Sequence, residues 1–237
     1  MINCALLRQE ADKYEISLDQ TALDRFDLYA ARLVEWNQKI NLTAITDPDE
    51  ILYKHFLDSL MLFHVKHFPE NSKVIDIGTG AGFPGLVLKI ARPDLDITLL
   101  DGTKKRLNVI DAIQKDLGLS TTLLHLRAEE GGKNPNYREQ FDFATARAVT
   151  NLPVLAELCI PYVKMGGYFL PMKGPDAEQE IKNTGKALQL LGGSNPKITE
   201  YSLSRYGERK ILSIKKIKAT PKKYPRTMGK IKKDPLH

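Results

Sequence analysis

Four glycines fall within eight residues in the segment Val74-Ile75-Asp76-Ile77-Gly78-Thr79-Gly80-Ala81-Gly82-Phe83-Pro84-Gly85. Glycine loses more backbone freedom on folding than any other residue, so such a cluster is costly unless the turn it builds must come close to something. The apolar residues before it read as a buried strand with a carboxylate, Asp76, near its end. Pro84 suits the first turn of a helix. The segment therefore reads as strand, tight turn and helix. Main-chain N–H groups are left unpaired at the helix start, and no Cβ keeps a ligand off the backbone of Gly78 and Gly80 on either side of Thr79.

Two ligand classes suit such a turn. Gly80-x-Gly82-x-x-Gly85 matches the dinucleotide fingerprint. In that site the turn faces a pyrophosphate, which the Asp76 carboxylate would repel. A ligand combining a cationic amine, a ribose and a flat base fits better, with its ammonium near Asp76. S-adenosylmethionine is such a ligand and is the expected cofactor. A strand–helix turn without a ligand is the third alternative, and the glycine cost argues against it.

The rest of the chain supplies a frame for this turn. Residues 1–70 read as a helical cap. Leu23, Phe26, Ala30, Leu33 and Val34 recur at helical spacing, with Ser17 and Gln20 as a possible capping box. Asp47-Pro48 reads as a second helix start. From Lys73 strands alternate with helices: strands at 73–78, 96–100, 121–126, 141–145 and 167–172, and a helix at Asp176–Leu191. An antiparallel pair around Tyr206-Gly207 closes the series. Such alternation implies an α/β domain over 71–218, with a largely parallel sheet and helices on both faces. A basic tail follows over 219–237.

Ligands in such sheets sit at the carboxyl ends of the strands, where Asp76, Asp101, Glu129 and Arg147 fall. Asp101 ends the second strand and can accept hydrogen bonds from vicinal ribose hydroxyls; it can also cap the helix after it. Ala128-Glu129 offers an N–H and a carboxylate that suit an adenine edge, with a surface loop as the bland reading. Arg147 follows the apolar run Phe141–Ala146. It is the candidate catalytic residue and a candidate donor contact, or else a structural salt bridge to Asp76 or Glu129. His55 reads as a packed or capping residue.

Net charge is +6 but uneven: residues 1–204 carry −4 and residues 205–233 carry +11. A basic end points to an anionic partner, most often nucleic acid; a solvated face is the alternative. Lys173, Arg205, Lys222, Lys223 and Arg226 are the candidate RNA contacts, and Lys222-Lys-Tyr-Pro-Arg226 combines cations with an aromatic for stacking. Cys4 and Cys159 are the two cysteines, which gives no disulfide framework and no metal-binding spacing. The early charges at the N-terminus are not those of a secretion signal, and no apolar run is long enough for a membrane span. A cytoplasmic protein without a membrane partner, acting as a monomer, is expected.

Missing motifs narrow the reaction. No Asn/Asp-Pro-Pro-aromatic turn follows the fourth strand, where Ala146-Arg147-Ala148-Val149 stands instead. Cys159 lies in an apolar helix, where a thiol is inert. The lack of an evident base or nucleophile is tolerable if the acceptor already has a free lone pair. Guanine N7 is such an atom.

The motifs Asn41-Leu-Thr-Ala-Ile45, His55-Phe-Leu-Asp-Ser-Leu60, Val74–Gly85, Arg127-Ala-Glu129, Thr145-Ala-Arg-Ala-Val149 and Tyr224-Pro-Arg226 occur in the order seen in the bacterial small-subunit rRNA methyltransferase G family. That family is also called glucose-inhibited division protein B, and the chain resembles it from about residue 20 onward. The resemblance implies a class I S-adenosylmethionine-dependent methyltransferase fold: Rossmann-like, with a mostly parallel seven-stranded sheet and an N-terminal helical extension. It implies methyl transfer to N7 of guanine 527 in 16S rRNA of the small ribosomal subunit. Residue by residue, it implies donor contacts at Gly78, Phe83, Ala128, Glu129 and Arg147, with Asp101 near the ribose and Arg226 near RNA. Thr227–Lys233 and Gly102 depart from the family pattern. A methyltransferase for another RNA, a protein or a small molecule, and a donor-binding assembly factor without catalysis, are the competing functions.

Overall fold

The computed structural model describes residues 1–175 and 177–236. The glycine turn leaves the central region of one seven-stranded sheet. Its strands are β1 (Lys73–Ile77), β2 (Asp96–Asp101), β3 (Thr122–His125), β4 (Phe141–Arg147), β5 (Val163–Lys173), β6 (Lys197–Ser202) and β7 (Glu208–Lys215). They lie in the order β3-β2-β1-β4-β5-β7-β6. β1 to β5 run parallel, and β7 pairs antiparallel with both β5 and β6. The order reverses between β1 and β4, so the loops after these two strands diverge and open a crevice at their carboxyl ends.

The helices are α1 (Cys4–Asp12), α2 (Gln20–Asn37), α3 (Pro48–Glu50), α4 (Asp58–Val65), α5 (Gly85–Ala91), α6 (Lys104–Asp116), α7 (Ala128–Gly131), α8 (Leu152–Cys159), α9 (Ala177–Lys182), α10 (Gly185–Leu191) and α11 (Met228–Lys233). The expected helix at Asp176–Leu191 is two helices, and its first residue, Asp176, lies outside the described residues. The expected capping box at Ser17 is replaced by Asp19, whose side chain accepts from Ala22 N at 2.7 Å. A carboxylate one residue before the helix meets the free N–H groups directly. Asp47 caps α3, with Pro48 at its first position.

β1 alternates its side chains. Val74 belongs to the apolar cluster that also holds Phe26, Tyr29, Phe56, Leu86 and Ile110, while Ile75 and Ile77 face the cluster holding Leu155, Leu188, Tyr224 and Ile231. The N-terminal helices thus share one core with α5 and α6 on one face of the sheet. α8, α10 and α11 cover the other. The basic C-terminal segment folds back onto that second face: Tyr224 is 5% exposed and Ile231 fully buried.

Between α3 and α4, residues Ile51–Leu57 form a π-helical stretch. Such widened turns occur often at functional sites, and this one carries Lys54 and His55 to the end of β4.

Candidate donor cavity and adjoining basic cavity

The turn after β1 is held by main-chain and carboxylate contacts. Gly78 N and Thr79 N donate to Leu100 O at 2.8 and 3.1 Å, which ties the turn to the end of β2. Gly78 and Gly80 have φ of +74° and +61°, values that L side chains adopt only with strain. Asp76 lies beneath the turn, fully buried. Its Oδ2 accepts from Thr79 Oγ1 at 2.7 Å and from Gly85 N at 2.9 Å. A Cβ built on Gly85 would stand 2.3 Å from Leu99 Cδ2 and 2.9 Å from Asp76 Cβ. Gly85→Ala is therefore expected to destabilise the fold by about 1–3 kcal/mol through overpacking, read from the denaturant midpoint. An unchanged midpoint would show that the α5–β2 contact gives way freely.

The cavity above the turn has a volume of about 300 Å³ and is bordered by Gly78, Asp101, Ala128, Glu129, Ala148 and Val149, among others. Asp101 is 4% exposed. Its Oδ2 accepts from Gly80 N at 3.0 Å and its Oδ1 from Thr103 N at 2.7 Å. Each oxygen keeps a second lone pair. Ala128 and Glu129 open α7, and Tyr162 OH donates to Ala128 O at 2.7 Å.

Two buried carboxylate oxygens here have no partner among the described residues: Asp76 Oδ1 and Glu129 Oε2. Burial pushes the Asp76 carboxyl up to about 6. An unpaired buried acceptor is costly, and the Glu129 oxygen beside this cavity fits a ligand that brings donors. S-adenosylmethionine brings an ammonium, a ribose diol and an adenine amine, so the residues present suit that group. Asp76 sits under the turn rather than on the cavity wall, so what it offers an ammonium is charge acting through the glycine backbone.

Arg147 borders a second cavity, of about 440 Å³, also lined by Lys54, His55, Met172, Lys173 and Glu180. The salt bridge expected to Asp76 or Glu129 goes instead to Asp58, with Arg147 Nη1 2.9 Å from Oδ2. Asp58 opens α4, on the helices packed over the β4 end. Its other oxygen accepts from Tyr201 OH at 2.7 Å. Arg147 Nη1 also donates to Lys54 O at 2.8 Å, and Nη2 lies 3.2 Å from His55 Nδ1. A guanidinium can only donate, so Nδ1 carries the lone pair and the imidazole proton points from Nε2 toward Thr43 Oγ1, 3.0 Å away. Burial, with the Arg147 charge adding to it, holds His55 down to about 3, so the ring is neutral at physiological pH. It stacks on Phe83 at 4.2 Å, and Arg147 lies 5.0 Å from the Phe83 ring centre.

Phe83, expected at the donor, is thus placed in the stack joining turn and cap. Thr43, Asp58 and Tyr201 complete the arrangement. The signal for the first two was their place in the Asn41–Ile45 and His55–Leu60 motifs; Tyr201 had none. Ala148 lines both cavities and has a φ of +54°. Left-handed backbone at a non-glycine residue is a mark of a constrained site.

The candidate RNA contacts scatter. Lys173 is 9% exposed and pairs with Glu180 at 2.8 Å, so it does not present a free charge to a phosphate at the surface. Arg205 is exposed and pairs with Asp49. Lys222 and Lys223 are exposed. Arg226, expected near RNA, is engaged in an ion pair with Glu157. Its Nε and Nη2 donate to Glu157 at 2.9 and 2.8 Å, and its main-chain N at 2.7 Å. Glu157 is fully buried, so the Arg226 charge is neutralised inside the fold. Cys159 is fully buried and its thiol is pushed well up by that burial, which excludes it as a nucleophile. No helix among the described residues is long and apolar enough to cross a membrane.

The sequence model of the rRNA small subunit methyltransferase G family matches residues 22–211. The chain is 46% identical over 233 residues to the ribosomal RNA small subunit methyltransferase G of Clostridium novyi (strain NT), covering 98% of this chain and 96% of that one. It is likewise 46% identical over 233 residues to the protein of the same name from Acetivibrio thermocellus, with the same coverage. Among solved structures it resembles a SAM-dependent methyltransferase from Aquifex aeolicus, with a TM-score of 0.51 and 20% identity over 76% of this chain and 97% of that one. It also resembles a SAM-dependent O-methyltransferase from Thermotoga maritima, with a TM-score of 0.51 and 16% identity over 80% of this chain and 73% of that one. These likenesses show the class I Rossmann-like methyltransferase fold, and the chain belongs to the rRNA small subunit methyltransferase G family.

Proposed function

We propose that this protein transfers the methyl group of S-adenosylmethionine to N7 of guanine 527 in 16S rRNA. It would act in the cytoplasm as a monomer on naked rRNA or on the small ribosomal subunit. The observation that carries the reading is the seam at Ala148, which lines both the cavity bordered by Asp101 and the unpaired Glu129 carboxylate and the cavity bordered by Arg147.

When bound, the donor supplies an electrophilic sulfonium methyl. The chain supplies alignment. The side-chain-free backbone of Gly78 and Gly80, on either side of Thr79, would let the amino-acid and ribose parts lie close, over the charge of Asp76. Asp101 takes the ribose hydroxyls. Ala128 N–H and Glu129 Oε2 take the adenine edge. Phe83 braces the turn against His55, and Arg147 orients the incoming base at the seam. No group needs to remove a proton, because guanine N7 carries none at neutral pH. That agrees with a site whose histidine is held neutral and bonded on both nitrogens. Holding both reactants in line is by itself a large acceleration. Exposed cations such as Arg205, Lys222 and Lys223 would contribute salt-sensitive phosphate contacts.

The test is strand scission. Borohydride and aniline cleave RNA at N7-methylguanosine, and primer extension reads the position. One new stop at guanine 527 that requires both protein and donor supports the reading. Methyl incorporation with no such stop overturns it.

A further inference from the structure

The basic cavity contains two acids, Asp58 and Glu180. Both Asp58 oxygens are engaged, by Arg147 and Tyr201. Glu180 differs. Its Oε2 accepts from Leu152 N at 2.6 Å and lies 2.8 Å from Lys173 Nζ. Among the described residues no donor reaches its Oε1. Lys173 is fixed in turn: its Nζ donates to Thr150 O at 2.8 Å. An ammonium has three protons, and the third has no partner among the described residues. The wall of the cavity therefore presents, side by side, one committed donor and one committed acceptor. Neither can exchange roles, because lysine cannot accept and an ionised carboxylate cannot donate.

We propose that Lys173 and Glu180 are the base-reading pair of this site: Lys173 Nζ donates to guanine O6 and Glu180 Oε1 accepts from guanine N1–H. This deepens the rRNA methyltransferase reading and rests on it. Guanine shows an acceptor and a donor at these adjacent atoms. Adenine shows them in the reverse order, so its amine would face the ammonium and its N1 lone pair the carboxylate. Uracil has an N–H between two carbonyls but no N7 to methylate. Gripping the base by O6 and N1 leaves N7, on the other side of O6, free to face the seam. Discrimination is large once the base covers the pair, because the wrong base then leaves the covered polar groups unpaired. The ties from Thr150 and Leu152 also link the reader to the segment after β4 that carries Ala148, so reading and alignment share one rigid wall.

The test uses small-subunit particles reconstituted with 16S rRNA carrying guanosine or 1-methylguanosine at the target. Single-turnover methyl transfer is measured for wild type, Glu180→Gln and Glu180→Ala, together with donor affinity. Wild type is expected to prefer guanosine by about 100-fold, since the N1-methyl removes the donor and meets the carboxylate. In Glu180→Gln the amide oxygen keeps the bond from Leu152 and the NH2 replaces Oε1. The guanosine rate is then expected to fall about 100-fold with donor affinity unchanged. In Glu180→Ala the space once filled by the carboxylate admits the N1-methyl, and the two substrates converge to about equal rates. A merely structural Glu180 would lower both rates together and leave their ratio intact. That outcome in both variants overturns the assignment while leaving the methyltransferase reading standing. No transfer to guanosine by the wild type would instead remove the reading on which the assignment rests.

Discussion

Arg226→Met is expected to lower the stability of the fold by about 3–5 kcal/mol, because it leaves Glu157 charged in an apolar core with only the main-chain N–H of residue 226 as partner. Glu157 lies on α8 among Leu155, Leu158 and Cys159, and is fully buried. Arg226 reaches it with three hydrogen bonds between 2.7 and 2.9 Å. The pair also locks the C-terminal segment onto the second face of the sheet, where Tyr224 and Ile231 are buried. Denaturant unfolding measures the loss. A phosphate-binding arginine would behave otherwise: its removal would leave the midpoint alone and reduce the slope of log affinity against log salt by about 1. That second pattern would contradict the buried-pair account. The stability loss should be partly relieved in the double variant Arg226→Met, Glu157→Leu, which removes the unpaired charge but leaves the main-chain N–H of residue 226 without its acceptor.

Arg147→Lys is expected to lower methyl transfer by about 100-fold, since small displacements of a positioning group cost that much, while donor affinity stays unchanged. Lysine keeps the charge and can still pair with Asp58. It has no planar fork to hold Lys54 O, Asp58 and His55 at once. The side chain then moves, and with it the wall beside Ala148. Donor affinity is spared because Arg147 borders the basic cavity and not the donor cavity. Single-turnover transfer and an equilibrium donor titration separate the two effects. Equal losses in both would place Arg147 on the donor instead.

These two arginines mark the boundary between what the sequence shows and what it conceals. The glycine turn, Asp101 at the end of β2 and Ala128-Glu129 after β3 were legible, because a parallel sheet puts all strand ends on one edge. Local pattern was enough to bring them into one cavity. The partners of Arg147 and Arg226 were not legible. Asp58 is 89 residues from Arg147 and Glu157 is 69 from Arg226, and no helical or strand period spans such distances. The basic run at the C-terminus concealed its internal pairing for the same reason. Lys216 lies within it, yet is 2% exposed, donating to Ile160 O and Thr220 Oγ1 and pairing with Glu139. Burial lowers it to about 8. A count of charges along a chain does not report which strand face each one occupies. The π-helical stretch at Ile51–Leu57 was hidden too, because a run as apolar as Ile51-Leu-Tyr-Lys-His-Phe-Leu57 shows no polar face from which a helical period can be read. Glu180 carried no signal either: its meaning comes from Lys173 beside it, on a different element.

The central claim is that the cavity between Gly78, Asp101 and Glu129 holds S-adenosylmethionine. Its most direct test is a calorimetric titration of S-adenosylhomocysteine into the wild type and into Asp101→Asn, with a nicotinamide dinucleotide as the competing ligand. The account predicts saturable binding of the homocysteine nucleoside, at least about tenfold weaker in the variant because a charge-assisted hydrogen bond to the ribose is lost, and no heat from the dinucleotide. Saturable dinucleotide binding, with no response to the homocysteine nucleoside from folded protein, would contradict it.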